Sequence, residues 1–299
     1  MNTYPVKKLI QVFKSELFTY YPENEIMQIL YILFEAFMGW PKTKVHLSFD
    51  SEIPENEMRA FKHALDELKS GKPIQYILGR TVFNGSKLIV NESVLVPRPE
   101  TEELCLIIKS DHRLKPYHKF SILDIGTGSG CISIDLKRYF PDSSVTGIDS
   151  SPAAIEIAKT NAGNNGCEIS FIKSDILNDD DNLKLALFDV IVSNPPYVLE
   201  SEKQFMHRNV IDFEPESALF VPDNNPLLYY RAIADFAREH LTPQGLLFFE
   251  INEKYGEDIC RLLLSFGFEK AEVLIDINGK DRFVRAISSE GFFVRGHQK

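Results

Sequence analysis

Apolar residues recur every three or four positions through the first seventy residues. Val6, Ile10, Phe13 and Leu17 form one series, and Ile26, Ile29, Leu30, Leu33 and Phe37 a second. A third series, Met58, Phe61, Leu65 and Leu68, follows Pro54 and stops at Gly71 and Pro73. This spacing lines one face of a helix with apolar side chains, and proline before and glycine after are helix start and stop signals. Residues 1–72 therefore predict a small helical bundle. It carries no chemical motif, so its expected role is packing or partner recognition.

The pattern changes at Ile74. Val82-Phe83 and Leu88-Ile89-Val90 flank the turn signal Asn84-Gly85, and Val94-Leu95-Val96 leads into Pro97-Arg98-Pro99. Short β-like runs around a turn predict a hairpin, here over residues 73–98, linking two domains. Strands and helices then alternate over residues 99–299. Apolar, β-branched runs at 121–125, 144–148, 168–172, 189–193 and 246–251 predict strands, with helical patterns near 131–140, 152–163, 226–240 and 254–267. Such alternation implies an α/β domain with a mostly parallel sheet covered on both faces. The final runs, 271–276 and 282–287, are separated only by a turn at Asn278-Gly279, so the last pair should be antiparallel.

Composition narrows the class. A chain of 299 residues that is 44% hydrophobic and 25% charged is an ordinary globular protein, which excludes disordered and fibrous classes. Its net charge of −10 weighs against a nucleic-acid partner, because such binders normally carry a basic stripe. The four cysteines are scattered and predict free thiols in a reducing cytosol. The histidines show no ligand spacing, so no metal is expected. The N-terminus lacks the pattern of a secretory signal. The most apolar stretch, residues 26–40, contains Gln28 and Glu35 and is too short to span a bilayer. A cytoplasmic protein without a membrane partner is expected.

The first candidate chemistry is Asp124-Ile125-Gly126-Thr127-Gly128-Ser129-Gly130, where strand one gives way to a helix. Glycines let the backbone turn sharply and approach a ligand at the helix N-terminus. Such a turn alone also serves dinucleotides, or is merely tight. Two details sharpen it. The spacing is Gly-x-Gly-x-Gly rather than the pyrophosphate fingerprint Gly-x-Gly-x-x-Gly, and strand two ends in Asp149, about 20 positions on, where a carboxylate grips ribose hydroxyls. An N-cap role for Asp149 ahead of Pro152 is the competing reading, although Ser150 or Ser151 can fill it. Asp175 is placed to accept from an adenine amino group and Ile176 to cover the ring. Both can equally be ordinary loop residues.

The second is Asn194-Pro195-Pro196-Tyr197, directly after the strand 189–193. Ligands of such sheets bind at the carboxyl ends of the strands, so the tetrad points into the same crevice. An amide or aromatic amino nitrogen is a poor nucleophile with two N–H groups, and two acceptors hold it. Asn194 offers a side-chain carbonyl, and Pro195 a main-chain carbonyl whose direction the prolines restrict. Tyr197 offers a flat face. This chemistry suits methyl transfer from S-adenosylmethionine to a planar nitrogen. The competing reading is a proline-rich loop that starts at Asn194.

The chain resembles the protein-(glutamine-N5) methyltransferases of peptide chain release factors, the HemK/PrmC family. The resemblance covers nearly the whole sequence. It rests on Lys72-Pro73-Ile74-Gln75-Tyr76-Ile77-Leu78-Gly79, on Val96-Pro97-Arg98-Pro99-Glu100-Thr101-Glu102, on the glycine turn, on the tetrad and on Phe213-Glu214-Pro215-Glu216-Ser217-Ala218-Leu219. It implies a helical N-terminal domain, a linking hairpin and a Rossmann-like class I methyltransferase domain with seven strands, the last antiparallel. It further implies cofactor contacts at residues 126–130, Asp149, Ile176 and Asn194, and a substrate glutamine held by Asn194, Pro195, Pro196 and Tyr197. Some relatives place an aromatic residue at the Ile176 position. The implied partner is the Gly-Gly-Gln loop of a release factor, met by a monomer. Residues 198–212 are too many for a routine connection and are expected to form part of the partner surface. Arg98 reads as one end of a structural salt bridge, and Glu100 and Glu102 as first-turn acids of a helix.

Alternatives remain at this point. The tetrad is shared with adenine and guanine methyltransferases of nucleic acids, and a ribosomal-protein glutamine would present the same amide. The turn alone permits a dinucleotide oxidoreductase, but with the wrong glycine spacing. A non-catalytic relative would be expected to have lost Asn194.

Overall fold

The computed structural model describes residues 4–115, 118–178 and 186–290. The chain divides into two compact units. One runs to Gly79 and takes in His207–Phe213; the other comprises Arg80–Met206 and resumes at Glu214.

The first unit is helical: α1 (Val6–Leu17), α2 (Glu23–Met38), α3 (Lys42–Leu47), α4 (Glu55–Ser70) and α5 (Ile74–Leu78). Each begins directly after a proline, Pro5, Pro22, Pro41, Pro54 or Pro73, with extended ψ. Proline's fixed φ sets the direction in which the chain enters each helix, and no side chain caps any of the five. The predicted stripes meet in one core, in which the Phe61 ring lies 4.8 Å from that of Phe34 and 6.3 Å from that of Phe13. The His207 ring lies tilted against that of Tyr21, with 6.3 Å between centroids, and a Cβ on Gly71 would lie 3.7 Å from Phe213.

One local expectation is corrected here. Residues 74–78 are helical, not β-like, because Pro73 and a left-handed Gly79 (φ 66°) bracket one helical turn. The six-residue α3 was not anticipated, since its only buried side chain, Val45, leaves no periodicity to read.

The second unit opens with the hairpin β1 (Arg80–Phe83) and β2 (Ser86–Ile89). Asn84 and Gly85 both have positive φ, 44° and 78°, as a two-residue hairpin turn of the right twist requires. The hairpin is thus shorter than 73–98: Val94 and Val96 are buried but lie outside any strand. Helix α6 (Pro99–Ser110) follows, with Glu100 and Glu102 in its first turn. Then come β3 (Ser121–Ile125), α7 (Cys131–Tyr139), β4 (Ser144–Asp149), α8 (Pro152–Asn164), β5 (Ser170–Lys173) and β6 (Phe188–Ser193). A short strand β7 (Val198–Leu199) and a 3-10 turn (Glu200–Phe205) precede α9 (Arg208–Ile211), which belongs to the first unit. The chain continues through β8 (Phe220–Val221), α10 (Leu228–His240), β9 (Leu241–Glu250), α11 (Gly256–Ser265), β10 (Lys270–Ile275) and β11 (Asp281–Ile287).

Seven strands form one sheet in the order β10-β11-β9-β6-β3-β4-β5. β11 runs antiparallel to both its neighbours, and the pairs from β9 to β5 are parallel. Successive side chains point to opposite faces, and both faces are apolar, as a sheet covered on two sides demands. Leu123, Ile191, Leu247 and Phe249 pack with Tyr230, Ile233 and Leu263 on one side. Ile122, Val190, Val192 and Phe248 pack with Leu104, Ile134 and Leu136 on the other. Strand order reverses between β3 and β6, which opens a crevice at their carboxyl ends. Among the described residues no helix is long and apolar enough to cross a membrane.

Candidate active site

The glycine turn lies at the carboxyl end of β3. Gly126, Gly128 and Gly130 all have positive φ, 72°, 52° and 80°. The N–H groups of Gly126 and Thr127 both donate to the Ile148 carbonyl at 2.9 Å, which ties the turn to the end of β4. Asp124 holds it from inside. Its Oδ2 accepts from the Thr127 and Ser133 hydroxyls, each at 2.7 Å, and from the Ser133 N–H at 3.2 Å. Burial pushes the Asp124 carboxyl up to about 6 against these three donors. Gly130 caps α7, and a Cβ there would lie 3.2 Å from that of Ala158. Gly130→Ala is expected to destabilise the protein by at least ~1 kcal/mol, the cost of a left-handed non-glycine residue, measured by urea denaturation.

Asp149 ends β4. Its Oδ2 accepts from the Gly128 N–H and its Oδ1 from the Ser151 N–H, both at 2.9 Å. The cap of α8 is Ser151, whose hydroxyl accepts from the Ala154 N–H at 3.2 Å, so Asp149 is not needed there. Burial raises the Asp149 pKa, and its two backbone donors oppose the shift. An ionised carboxylate has about four acceptor sites, so two are left for a ligand. Asp175 is more occupied: it accepts from the Leu177 N–H at 3.0 Å and from the Asn178 amide at 2.6 Å.

The tetrad leaves β6 beside the turn, with the Ser193 hydroxyl donating to the Ile125 carbonyl at 2.7 Å. Asn194 Nδ2 donates to Thr101 Oγ1 at 3.1 Å. Thr101 Oγ1 donates to Glu250 Oε2 at 2.7 Å, and the Tyr197 hydroxyl to Glu250 Oε1 at 3.0 Å. Glu250 is 1% exposed, and burial pushes its carboxyl up to about 7 despite both hydroxyl donors. Burial, and then the Glu250 charge, also raise the Tyr197 phenol.

Sequence reading singled out neither Thr101 nor Glu250. One signal was present: Glu250 is the single acid in the apolar run 246–251, at the carboxyl end of a central strand. A buried acid there is costly and calls for partners.

These elements converge on a cavity of about 270 Å³. Gly126, Thr127, Gly128, Ser129, Asp149, Asp175 and Ile176 line it together with Asn194, Pro195 and Pro196. Gly130 and Tyr197 are not among the residues that line it, and the partly buried Tyr197 also packs against the sheet core. Thr101 and Tyr229 complete the lining near the tetrad and near Asp175. Pro97 and Pro215 also line it, and their segments are joined by Arg98, which contacts buried Glu214 at 2.5 Å. Arg98 is therefore one end of a structural ion pair, and the Val96 N–H donates to the same carboxylate at 3.3 Å.

Comparison with known proteins settles the family. Residues 110–216 match the methyltransferase small domain, and residues 9–79 the PrmC N-terminal domain. A release factor glutamine methyltransferase of Flavobacterium psychrophilum is 42% identical over 94% of this chain and 98% of its own length. The chain belongs to the release factor glutamine methyltransferase family. A second member of this family, from Bacteroides thetaiotaomicron, is 38% identical over 94% of this chain and 99% of its own. The fold is that of methyltransferases: a solved methyltransferase from Pyrococcus furiosus superimposes with a TM-score of 0.50 at 16% identity, covering 79% of this chain and all of the other. The resemblance carried by the tetrad and the Pro-Arg-Pro-Glu-Thr-Glu segment thus extends along the chain, and so does the enzyme class.

Proposed function

We propose that this protein transfers the methyl group of S-adenosylmethionine to the side-chain N5 of the glutamine in the Gly-Gly-Gln loop of peptide chain release factors, modulating translation termination. The observation that carries the reading is the single cavity shared by the glycine turn, Asp149 and Asn194. The residues present fit the cofactor. Asp149 keeps acceptor capacity for ribose hydroxyls, the turn brings bare backbone to the cavity wall, and Ile176 and Tyr229 offer apolar surface for a purine. Asp124 Oδ1, buried beside the turn, has no hydrogen-bond partner among the described residues. When bound, the cofactor supplies an electrophilic methyl group on a sulfonium.

The protein's own part is orientation. Asn194 Oδ1 and the Pro195 carbonyl accept the two N–H groups of the glutamine amide. They turn its nitrogen towards the methyl carbon and favour the positive charge that grows on it. Formation of the nitrogen–carbon bond would be matched by loss of the carbon–sulfur bond, with S-adenosylhomocysteine as the leaving group. The methylated nitrogen then gives a proton to water, so no base is needed in advance. Pro196 restricts the loop and holds the Pro195 carbonyl in one direction.

In this reading residues 1–72 and 198–212 meet the partner protein, 73–98 link, and 99–299 carry the chemistry, in a cytoplasmic monomer that touches neither nucleic acid nor membrane. The net charge of −10 supports a protein substrate over a nucleic acid. The test is incubation of a purified release factor with the enzyme and labelled donor, read by intact mass and fragmentation. One methyl group on the Gly-Gly-Gln glutamine is expected. Label on a ribosomal protein instead, or on no glutamine, overturns the reading.

A further inference from the structure

We infer that Thr101 and Glu250 are positioning residues that set which end of the Asn194 amide faces the substrate. The inference rests on the function proposed above and deepens it. Its ground is the chain of contacts from Asn194 Nδ2 to Thr101 Oγ1 to Glu250, with Tyr197 on the second carboxylate oxygen.

The direction of each hydrogen bond follows from counting protons. An ionised carboxylate has none to give, so each hydroxyl that meets Glu250 donates its only proton to it. The Thr101 hydroxyl, once bonded to Glu250, can only accept from its other side. Asn194 approaches that side at 3.1 Å and must present its NH2 group. Its carbonyl oxygen is then the end left for another partner. Rotating the amide by half a turn would set two oxygens against each other with no proton between them. An asparagine without this constraint samples both orientations, and in one of them it turns a donor towards the substrate's NH2 end, which offers only N–H groups. Glu250 therefore selects the accepting orientation of Asn194 from two bonds away. Through Oε1 it fixes the Tyr197 hydroxyl at the other end of the tetrad as well.

The surroundings serve the ionised carboxylate unevenly. Arg282 favours it and Glu100 opposes it, while the Tyr230 hydroxyl donates to the Glu250 main-chain carbonyl at 3.2 Å and leaves the side chain to Thr101 and Tyr197. Burial is why these two hydroxyls decide the matter: with 1% exposure, water does not compete for either oxygen.

The experiment compares wild type, Thr101→Val and Thr101→Ser at pH 8.5, where Glu250 is ionised. Valine keeps the shape of threonine and removes the hydroxyl; serine keeps the hydroxyl. The first readout is the solvent-exchange rate of the Asn194 side-chain NH2 by NMR, its signal assigned through its loss in Asn194→Ala. The second is kcat and KM for methyl transfer, with cofactor Kd as the control for an intact site. Thr101→Val is expected to speed NH2 exchange at least tenfold and to lower kcat about tenfold, equivalent to ~1.4 kcal/mol. Cofactor Kd should stay within twofold, and Thr101→Ser should recover both exchange and kcat. Unchanged exchange and kcat in Thr101→Val overturns the inference, as does a serine variant as impaired as the valine one. If the wild type methylates no glutamine, the proposed function fails, and the exchange rates still decide the role of Thr101.

Discussion

Asn194→Ala is expected to bind S-adenosylmethionine nearly as well as wild type and to lose at least ~100-fold in the methyl-transfer step, the scale of one preorganised polar group at a reacting centre. The split follows from where the side chain sits. Asn194 lines the cavity, but the acceptor proposed for the ribose lies elsewhere in it, at Asp149. Alanine removes one of the two oxygens that would aim the substrate amide and leaves its nitrogen free to rotate out of line. Asn194→Asp is not a rescue. Thr101 Oγ1 already donates to Glu250, so an aspartate oxygen at 3.1 Å would meet a group with no proton for it. A single-turnover assay separates chemistry from product release, and near-wild-type rates in it would remove the carbonyl from the mechanism.

The parts of the site that were legible in the sequence are those whose chemistry is local. The glycine turn is read from three residues that must take positive φ within five positions, and the tetrad from an amide held between a strand and two prolines. The sheet was legible for the same kind of reason: each strand carries its own apolar run, and the predicted 121–125 is the observed β3. Thr101 and Glu250 were not legible as a pair, because 149 positions separate them and only the packing of α6 against β9 brings the hydroxyl to the carboxylate. The Tyr197 hydroxyl bond to Glu250 was not legible either, because 53 positions separate the two residues. The helical turn at Ile74–Leu78 was misread because five residues are too few for a period to register, and its Pro73 and Gly79 brackets then decide the conformation.

Asp149→Ala is expected to weaken S-adenosylmethionine binding by at least ~100-fold, measured by calorimetry. A ribose diol held by a carboxylate makes hydrogen bonds to a charged acceptor, each worth about 1.5–3 kcal/mol, and two of them exceed two decades in affinity. The substitution also orphans the Gly128 and Ser151 N–H groups, so the turn loses one of its ties to the end of β4 and keeps those to the Ile148 carbonyl. The carboxylate also gives the affinity a pH signature. Burial raises the Asp149 pKa above its ordinary value, and only the ionised form accepts from two hydroxyls and two amides at once. Wild-type affinity should therefore fall as pH is lowered through that raised pKa, beginning above the usual aspartate range, while Asp149→Ala shows no such acid limb. Equal affinities for the two proteins at neutral pH, or parallel pH profiles, would move the ribose contact to another residue.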